Sequence, residues 1–291
     1  MPSRPVCLIL LLYWAIAASS LIQRDILPEL GFVRAPDFRL IASAELQPGP
    51  SNWSMEVLDD ALNPNKRRVV GTATTFAQLQ KSGQTEITST VNFEPSGFLR
   101  GTPLSKSDEA RLVIESRYLV DANGNLQTFK ATVHSPNDPE ELVSIDGKVE
   151  DRKLKIVSRG QIPILNEIPF LNQTRVLDYA PRDLLQSAMG PFDRMPGLQI
   201  GQRWTTRVVS PLTGRVQSVE ASVKRRCVIH WGQSPVSVLE VVHEMTPISA
   251  KTWVRPDGLV LRQEVPFPFA KIVLERIPDS QNPSGLEVPG R

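Results

Sequence analysis

A chain of 291 residues is long enough for one large domain or two small ones, and its net charge of +2 comes from 33 basic and 31 acidic residues that are interspersed. That balance lacks the basic stripe of a nucleic-acid binder, and the densest basic runs, Lys66-Arg67-Arg68 and Lys224-Arg225-Arg226, are short enough to be solvated strand or turn. Two cysteines exclude a fold built on disulfides, and 25 prolines against 17 glycines suit short strands between stiff loops and not a helical bundle.

Residues 1–22 read as a signal peptide or signal anchor. Arg4 and the α-amino group precede the apolar run Val6-Cys7-Leu8-Ile9-Leu10-Leu11-Leu12-Tyr13-Trp14, which gives way to Ala15, Ala17, Ala18, Ser19 and Ser20. A basic start, an apolar body of about 7–15 residues and a small-x-small site are what export requires, and Ala15-Ile16-Ala17 supplies the site. Retained instead as an anchor, residues 6–22 would span roughly 25 Å, a little short of the ~30 Å hydrocarbon core. They would be the chain's contact with a membrane, and Arg4 favours an N-in orientation that Arg24 weakens. Cleaved near Ala17 or kept, the leader sends the body out of the cytoplasm, to the periplasm or beyond. Cys7 stands at the start of the apolar run, the wrong end for a lipid-attachment cysteine.

Residues 23–50 carry prolines at 28, 36, 48 and 50 without sustained periodicity and read as a linker. A first β-rich half is expected over residues 51–177. In Thr85-Glu86-Ile87-Thr88-Ser89-Thr90-Val91-Asn92-Phe93, Ile87, Val91 and Phe93 share one face of a strand and the polar residues the other. Asn123-Gly124 between Tyr118 and Phe129 marks a hairpin, because Gly124 can take the positive φ of the turn. Ile145-Asp146-Gly147 and Leu154-Lys155-Ile156-Val157 suggest another strand pair. Residues 178–197 form a connector in which Pro181, Arg182-Asp183-Leu184-Leu185-Gln186-Ser187-Ala188 and then Gly190-Pro191 have the start, body and stop of one short helix. A second β-rich half follows over residues 198–277. There Val219, Ala221 and Val223 alternate with polar residues, and Pro256-Asp257-Gly258 turns a second hairpin between Trp253 and Arg262. Residues 278–291 read as a disordered tail. The expected fold is therefore mainly β: a large curved antiparallel sheet in two similar halves, one short connecting helix, and an N-terminal hydrophobic helix.

The order of these pieces resembles a β-rich domain of exported bacterial proteins, of the kind that precedes transglutaminase-like domains, with the sheet character of LolA-like lipoprotein carriers. Carrying the resemblance are Gly201-Gln202-Arg203-Trp204 after Leu198, then Ser210-Pro211-Leu212-Thr213, and the run from Thr252 to Glu264. Upstream, Val69-Val70-Gly71 before a Thr-rich strand and Asp146-Gly147-Lys148-Val149 fit the same order. The resemblance implies an envelope location and a sheet able to hold a hydrophobic ligand. It also implies that the transglutaminase-like catalytic domain itself has no room before Arg291.

Reactive chemistry is sparse, and no catalytic, cofactor or metal residues are assigned. Cys227, His230 and His243 fall on neighbouring expected strands, so a thiol–imidazole contact is conceivable, but a thiol nucleophile needs a lowered pKa and an oriented base. Cys227 continues the phase of Val219, Ala221 and Val223, which points it inward as a structural thiol. His134, His230 and His243 have no ligand spacing, and His243, in phase with Leu239, Val241 and Met245, reads as a sheet histidine. Asp121-Ala122-Asn123-Gly124-Asn125 superficially resembles a calcium loop, but Thr132 occupies the slot of the distal glutamate, so the segment reads as a turn. Asn52-Trp53-Ser54 and Asn172-Gln173-Thr174 are glycosylation sequons only in a eukaryotic host.

Two functions fit these observations. The first is an exported or membrane-tethered, non-enzymatic module of the cell envelope that binds a lipid or lipopeptide on an apolar concave face bearing Ile87, Phe93, Leu112, Ile114, Leu239 and Val241. The alternative is a structural or protein-interaction module offering Pro266-Phe267-Pro268-Phe269 and Pro169-Phe170 to an envelope partner. A thiol-dependent enzyme is the least favoured.

Overall fold

The computed structural model describes residues 49–58, 67–94, 111–136, 138–160, 172–180, 184–185, 193–210, 215–245, 248–267 and 270–278. The leader, most of the linker and tail, and residues Pro169-Phe170 and Pro268-Phe269 lie outside them. Among the described residues no helix is long and apolar enough to cross a membrane.

The described chain is a meander of fifteen strands. In order they are β1 (Ser51–Leu58), β2 (Arg67–Leu79), β3 (Thr85–Phe93), β4 (Leu112–Val120), β5 (Leu126–Ser135), β6 (Asp138–Glu150), β7 (Lys153–Gly160) and β8 (Gln173–Asp178). Then come β9 (Leu184–Leu185), β10 (Arg203–Ser210), β11 (Arg215–Trp231), β12 (Ser234–Met245), β13 (Ile248–Val254), β14 (Val260–Phe267) and β15 (Ala270–Arg276). All belong to one sheet, with β1 and β15 side by side at its middle and β8 and β9 at its ends. Every neighbouring pair is antiparallel apart from β9–β10, which is parallel.

Two sequence-marked turns form as expected, and so does the suggested strand pair β6–β7. Gly124 has φ 77° and donates to the Asp121 carbonyl (2.8 Å), while both Asn123 and Asn125 amides bond the Asp121 carboxylate. That carboxylate is used by its own hairpin, which is why the segment is a turn. Gly258 has φ 89° and donates to Arg255 O, closing the β13–β14 hairpin. β6 and β7 pair through Asp151 and Arg152, both at positive φ.

The expected connector helix is corrected. Among the described residues there is no helix, and Leu184–Leu185 form β9 beside Val208 and Val209. A helix this short is marginal by itself, so pairing with a sheet edge outweighs its local start and stop signals. The remaining residues of 181–192 lie outside the described chain.

The two ends of the sheet approach each other. Arg207 of β10 reaches the carbonyl oxygen of Asp178, at the far end of β8, at 3.4 Å, so the two ends of the strand order come within one side chain of each other. Beyond β8, Tyr179 turns under the sheet and accepts the Leu126 amide on its hydroxyl (3.1 Å). A strap, residues 193–202, crosses the inner face of β14, β15 and β2. The Asp193 carboxylate accepts from Thr75 Oγ1 (2.8 Å) and Arg276 Nη1 (3.1 Å), and its carbonyl accepts the Val260 amide (3.0 Å). Arg276 also bonds Ser51 and lies 5.3 Å over the Trp53 ring. The inner face packs into two apolar clusters. One holds Trp53, Met55, Val91, Met195, Trp204, Val223, Val241 and Val254; the other holds Phe129, Ile145, Leu154, Ile156 and Tyr179. A third cluster, of Val238, Leu259 and Leu261, lies on the outer face beneath the β11–β12 hairpin.

Candidate functional site

The residues singled out for thiol chemistry are separated by the sheet itself. A β-bulge between Val223 and Arg225 makes Lys224 the extra residue of β11 and reverses the phase of everything after it. Cys227 therefore does not follow Val219, Ala221 and Val223 inward. It lies opposite Val238 on the outer face, half-buried against the Val238–Leu261 cluster, and burial pushes its thiol pKa up. His230 is on the opposite, exposed side of the same hairpin. His243 is on the inner face as expected, opposite Ala221 and Ala250. Its Nε2 lies 3.3 Å from Thr252 Oγ1, its ring stands edge-on to Trp204, and burial pulls its pKa down to about 4. Neither His230 nor His243 lies on the side of the sheet that carries Cys227, so the three do not form the thiol–imidazole contact considered from the sequence. His134 sits apart on β5, with Nδ1 3.1 Å from Ser135 O. Among the described residues no three His, Cys, Asp or Glu side chains are grouped to hold a metal ion.

The apolar face expected to hold a ligand divides in two. Leu239 and Val241 are sealed in the first cluster at 4% and 0% exposure. Ile87, Phe93, Leu112 and Ile114 are only half-buried, although they point to the same inner face and flank Val91. The register carries this stripe down β3 and β4, where Ile114 opposes Val91, Ser116 opposes Ser89 and Tyr118 opposes Ile87. It runs between the two filled clusters, with Phe93 and Ile114 at the margin of one and Tyr118 at the margin of the other. Within it the Ser89 hydroxyl is buried without a hydrogen-bond partner, a costly state for a polar group in an apolar setting.

The outer face of the same strands carries a feature that the sequence reading missed. An open groove of about 570 Å³ crosses β3 to β7 and is walled by Arg117, Lys130, Lys148 and Lys155 together with Glu86 and Asp146. Leu119, Thr128 and Val157 add neutral surface to it. Register places Arg117 directly opposite Lys130 and Lys148 directly opposite Lys155. The Glu86 carboxylate is paired with Arg117, also accepts from Gln80, and has its pKa lowered, with the Arg117 hydrogen bond the largest cause. Lys148 pairs with Glu150 at 2.6 Å and Lys130 with Glu141 at 3.3 Å, all four side chains well exposed. A signal for the groove did exist. Counting outward from the Asn123-Gly124 turn pairs 117 with 130, and counting from Asp151-Arg152 pairs 148 with 155.

The chain matches no protein-family model and no curated protein. It is similar in structure to a β-barrel-like protein of the domain of unknown function DUF1849 from Brucella abortus, at 12% identity and a TM-score of 0.46, covering 78% of this chain and 95% of that one. It is also similar to a DUF1089 family protein from Pseudomonas aeruginosa, at 15% identity and a TM-score of 0.35, covering 67% and 89% respectively. These likenesses are consistent with a β-rich fold, and no link to a transglutaminase-associated or LolA-like protein is shown.

Proposed function

We propose that this chain is an exported, non-enzymatic binding module of the cell envelope, tethered or released according to the fate of residues 1–22. It holds the apolar part of a lipid or lipopeptide against the inner face of β3 and β4. The observation that carries this reading is the half-open stripe of Ile87, Phe93, Leu112 and Ile114 between two filled clusters. Covering such a stripe removes apolar area from water at about 25 cal/mol per Å², and Ser89 offers a hydroxyl within it to a polar group of the ligand. Delipidated full-length protein titrated with 11-(dansylamino)undecanoic acid should bind it at micromolar concentration with blue-shifted emission. Ile87→Glu should weaken that binding about tenfold or more, because it sets a charge against the acyl chain. Absence of uptake, or equal uptake by the variant, would defeat the proposal.

A second reading rests on the β11–β12 hairpin, whose end runs past β13 and presents Arg226, Val228 and His230 to solvent, Val228 at 65% exposure. This surface suits a protein partner. Loss of a defined envelope complex on Val228→Glu, with fatty-acid uptake unchanged, would favour it over the first.

A further inference from the structure

We propose that the outer-face groove across β3 to β7 is a binding site for a phosphate-type dianion. The inference goes beyond the function proposed above, because the groove lies on the other side of the sheet from the apolar stripe.

It rests first on register. Like charges directly opposite one another on a strand pair are destabilising, since their Cβ atoms stand only about 4.5–5.5 Å apart. Among the described strand pairings, Arg117 opposite Lys130 and Lys148 opposite Lys155 are the directly opposed basic pairs, and both wall this groove. Elsewhere on the outer face, Arg225 faces Glu240, Lys251 faces Glu264 and Arg262 faces Glu275, and the like-charged pair Glu220 and Glu244 is acidic, with Lys224 3.5 Å from Glu244. The two basic pairs, on neighbouring strands, share one concavity. An anion between the members of each pair turns two repulsions into attractions.

The second support is stoichiometry and exchangeability. Four cations stand in the lining against Glu86 and Asp146, a surplus that matches a dianion. Glu86 is committed to Arg117, and Asp146 sits opposite Lys130. The pairs of Lys148 with Glu150 and Lys130 with Glu141 are exposed and so contribute little, leaving both ammonium groups free to turn to a ligand. The third is what lies beside the charge. Leu119 and Val157 line the groove, and Val176, 57% exposed, stands opposite Lys155 on β8. The site therefore has room for the organic part of a phosphate ester, and its anion could be free phosphate or the head of an amphiphile.

The test titrates the full-length protein at low ionic strength with inorganic phosphate, with decyl phosphate below its micelle concentration, and with decanol, which has no anion and reports on the inner face alone. Lys155→Glu is the informative variant, because it places a carboxylate opposite Lys148 and should leave the melting temperature unchanged or higher while spoiling the site. Lys148→Gln is the milder second variant, and Lys224→Glu, on β11, is the control for overall charge. Phosphate-bearing ligand should bind the wild type and lose at least about tenfold in affinity in Lys155→Glu and less in Lys148→Gln, with Lys224→Glu within about twofold of wild type and binding weakened by salt. Tighter binding of decyl phosphate than of phosphate identifies an amphiphile head, and equal binding a free anion; both support the site. Binding of neither anion, wild-type affinity in Lys155→Glu, or an equal loss in Lys224→Glu would overturn it. Decanol binding that is unaffected by Lys155→Glu keeps the two faces distinguishable.

Discussion

Acid should weaken this fold through His243 before it reaches the carboxylates. His243 is held neutral on the inner face, with its pKa lowered by burial from 6.5 to about 4, while the unfolded chain's imidazole titrates at the ordinary value. Below pH 6.5 the unfolded state binds a proton that the folded state refuses, so folding stability falls as pH drops from about 6.5 towards 4. A displacement of that size corresponds to about 3 kcal/mol in full, of which about 2 kcal/mol is lost between pH 7 and pH 5. The depressed carboxylates Glu86 and Glu240 add their own losses only lower, because their stabilisation is complete above the normal carboxylate pKa of 4.5. Urea unfolding at pH 7 and pH 5 measures the window directly. His243→Gln keeps a side chain able to bond Thr252 Oγ1 but removes the titration, so its stability should change little over the same range. An unchanged pH dependence in His243→Gln would refute the assignment.

Three further outcomes follow from the packing. Deleting Lys224 removes the bulge and rotates Cys227, Ile229 and Trp231 away from the Val238–Leu261 cluster; it should cost more than about 4 kcal/mol in chemical denaturation, at about 1.5–3 kcal/mol for each large apolar side chain exposed, and wild-type stability would contradict the register. Asp193→Ala leaves Arg276, whose side chain is 8% exposed, without its carboxylate; the expected loss is about 3 kcal/mol, with Asp193→Asn, which still accepts from Thr75, losing less than half of that. Iodoacetamide labelling followed at the Cys227 peptide should be slower in the native protein than in urea at pH 7.5, because burial raises the thiol pKa. Equal rates would argue for an activated thiol.

Much of the sheet was legible locally. Alternation from Thr85 to Phe93 and the glycines of the two hairpins specify strand, face and turn within a few residues, and the structure places them accordingly. The bulge was not legible, because the apolar positions of β11 keep an even spacing through it. The clue was the run Lys224-Arg225-Arg226, which strict alternation would force to send Arg225 into the core. Inserting Lys224 instead sends Arg225 outward to Glu240 at 2.7 Å, and two cations on that glutamate keep its carboxylate ionised in spite of burial. The strap was invisible for a different reason. Asp193 meets Thr75 and Arg276 across sequence separations of 118 and 83 residues, and no local pattern encodes such a meeting. Leu184 and Leu185 show the converse, a local helix signal overruled by a distant strand. The half-open stripe was read correctly as inward-facing, but which of its members stay accessible depends on how the two clusters close around it.

Photolabelling tests the central claim most directly. Full-length protein irradiated with a diazirine-bearing fatty acid and digested should carry the label on peptides from residues 85–93 and 112–120, with labelling suppressed by excess unlabelled fatty acid. Label confined to residues 6–22, spread evenly over the outer face, or insensitive to competitor would contradict an acyl-binding inner face.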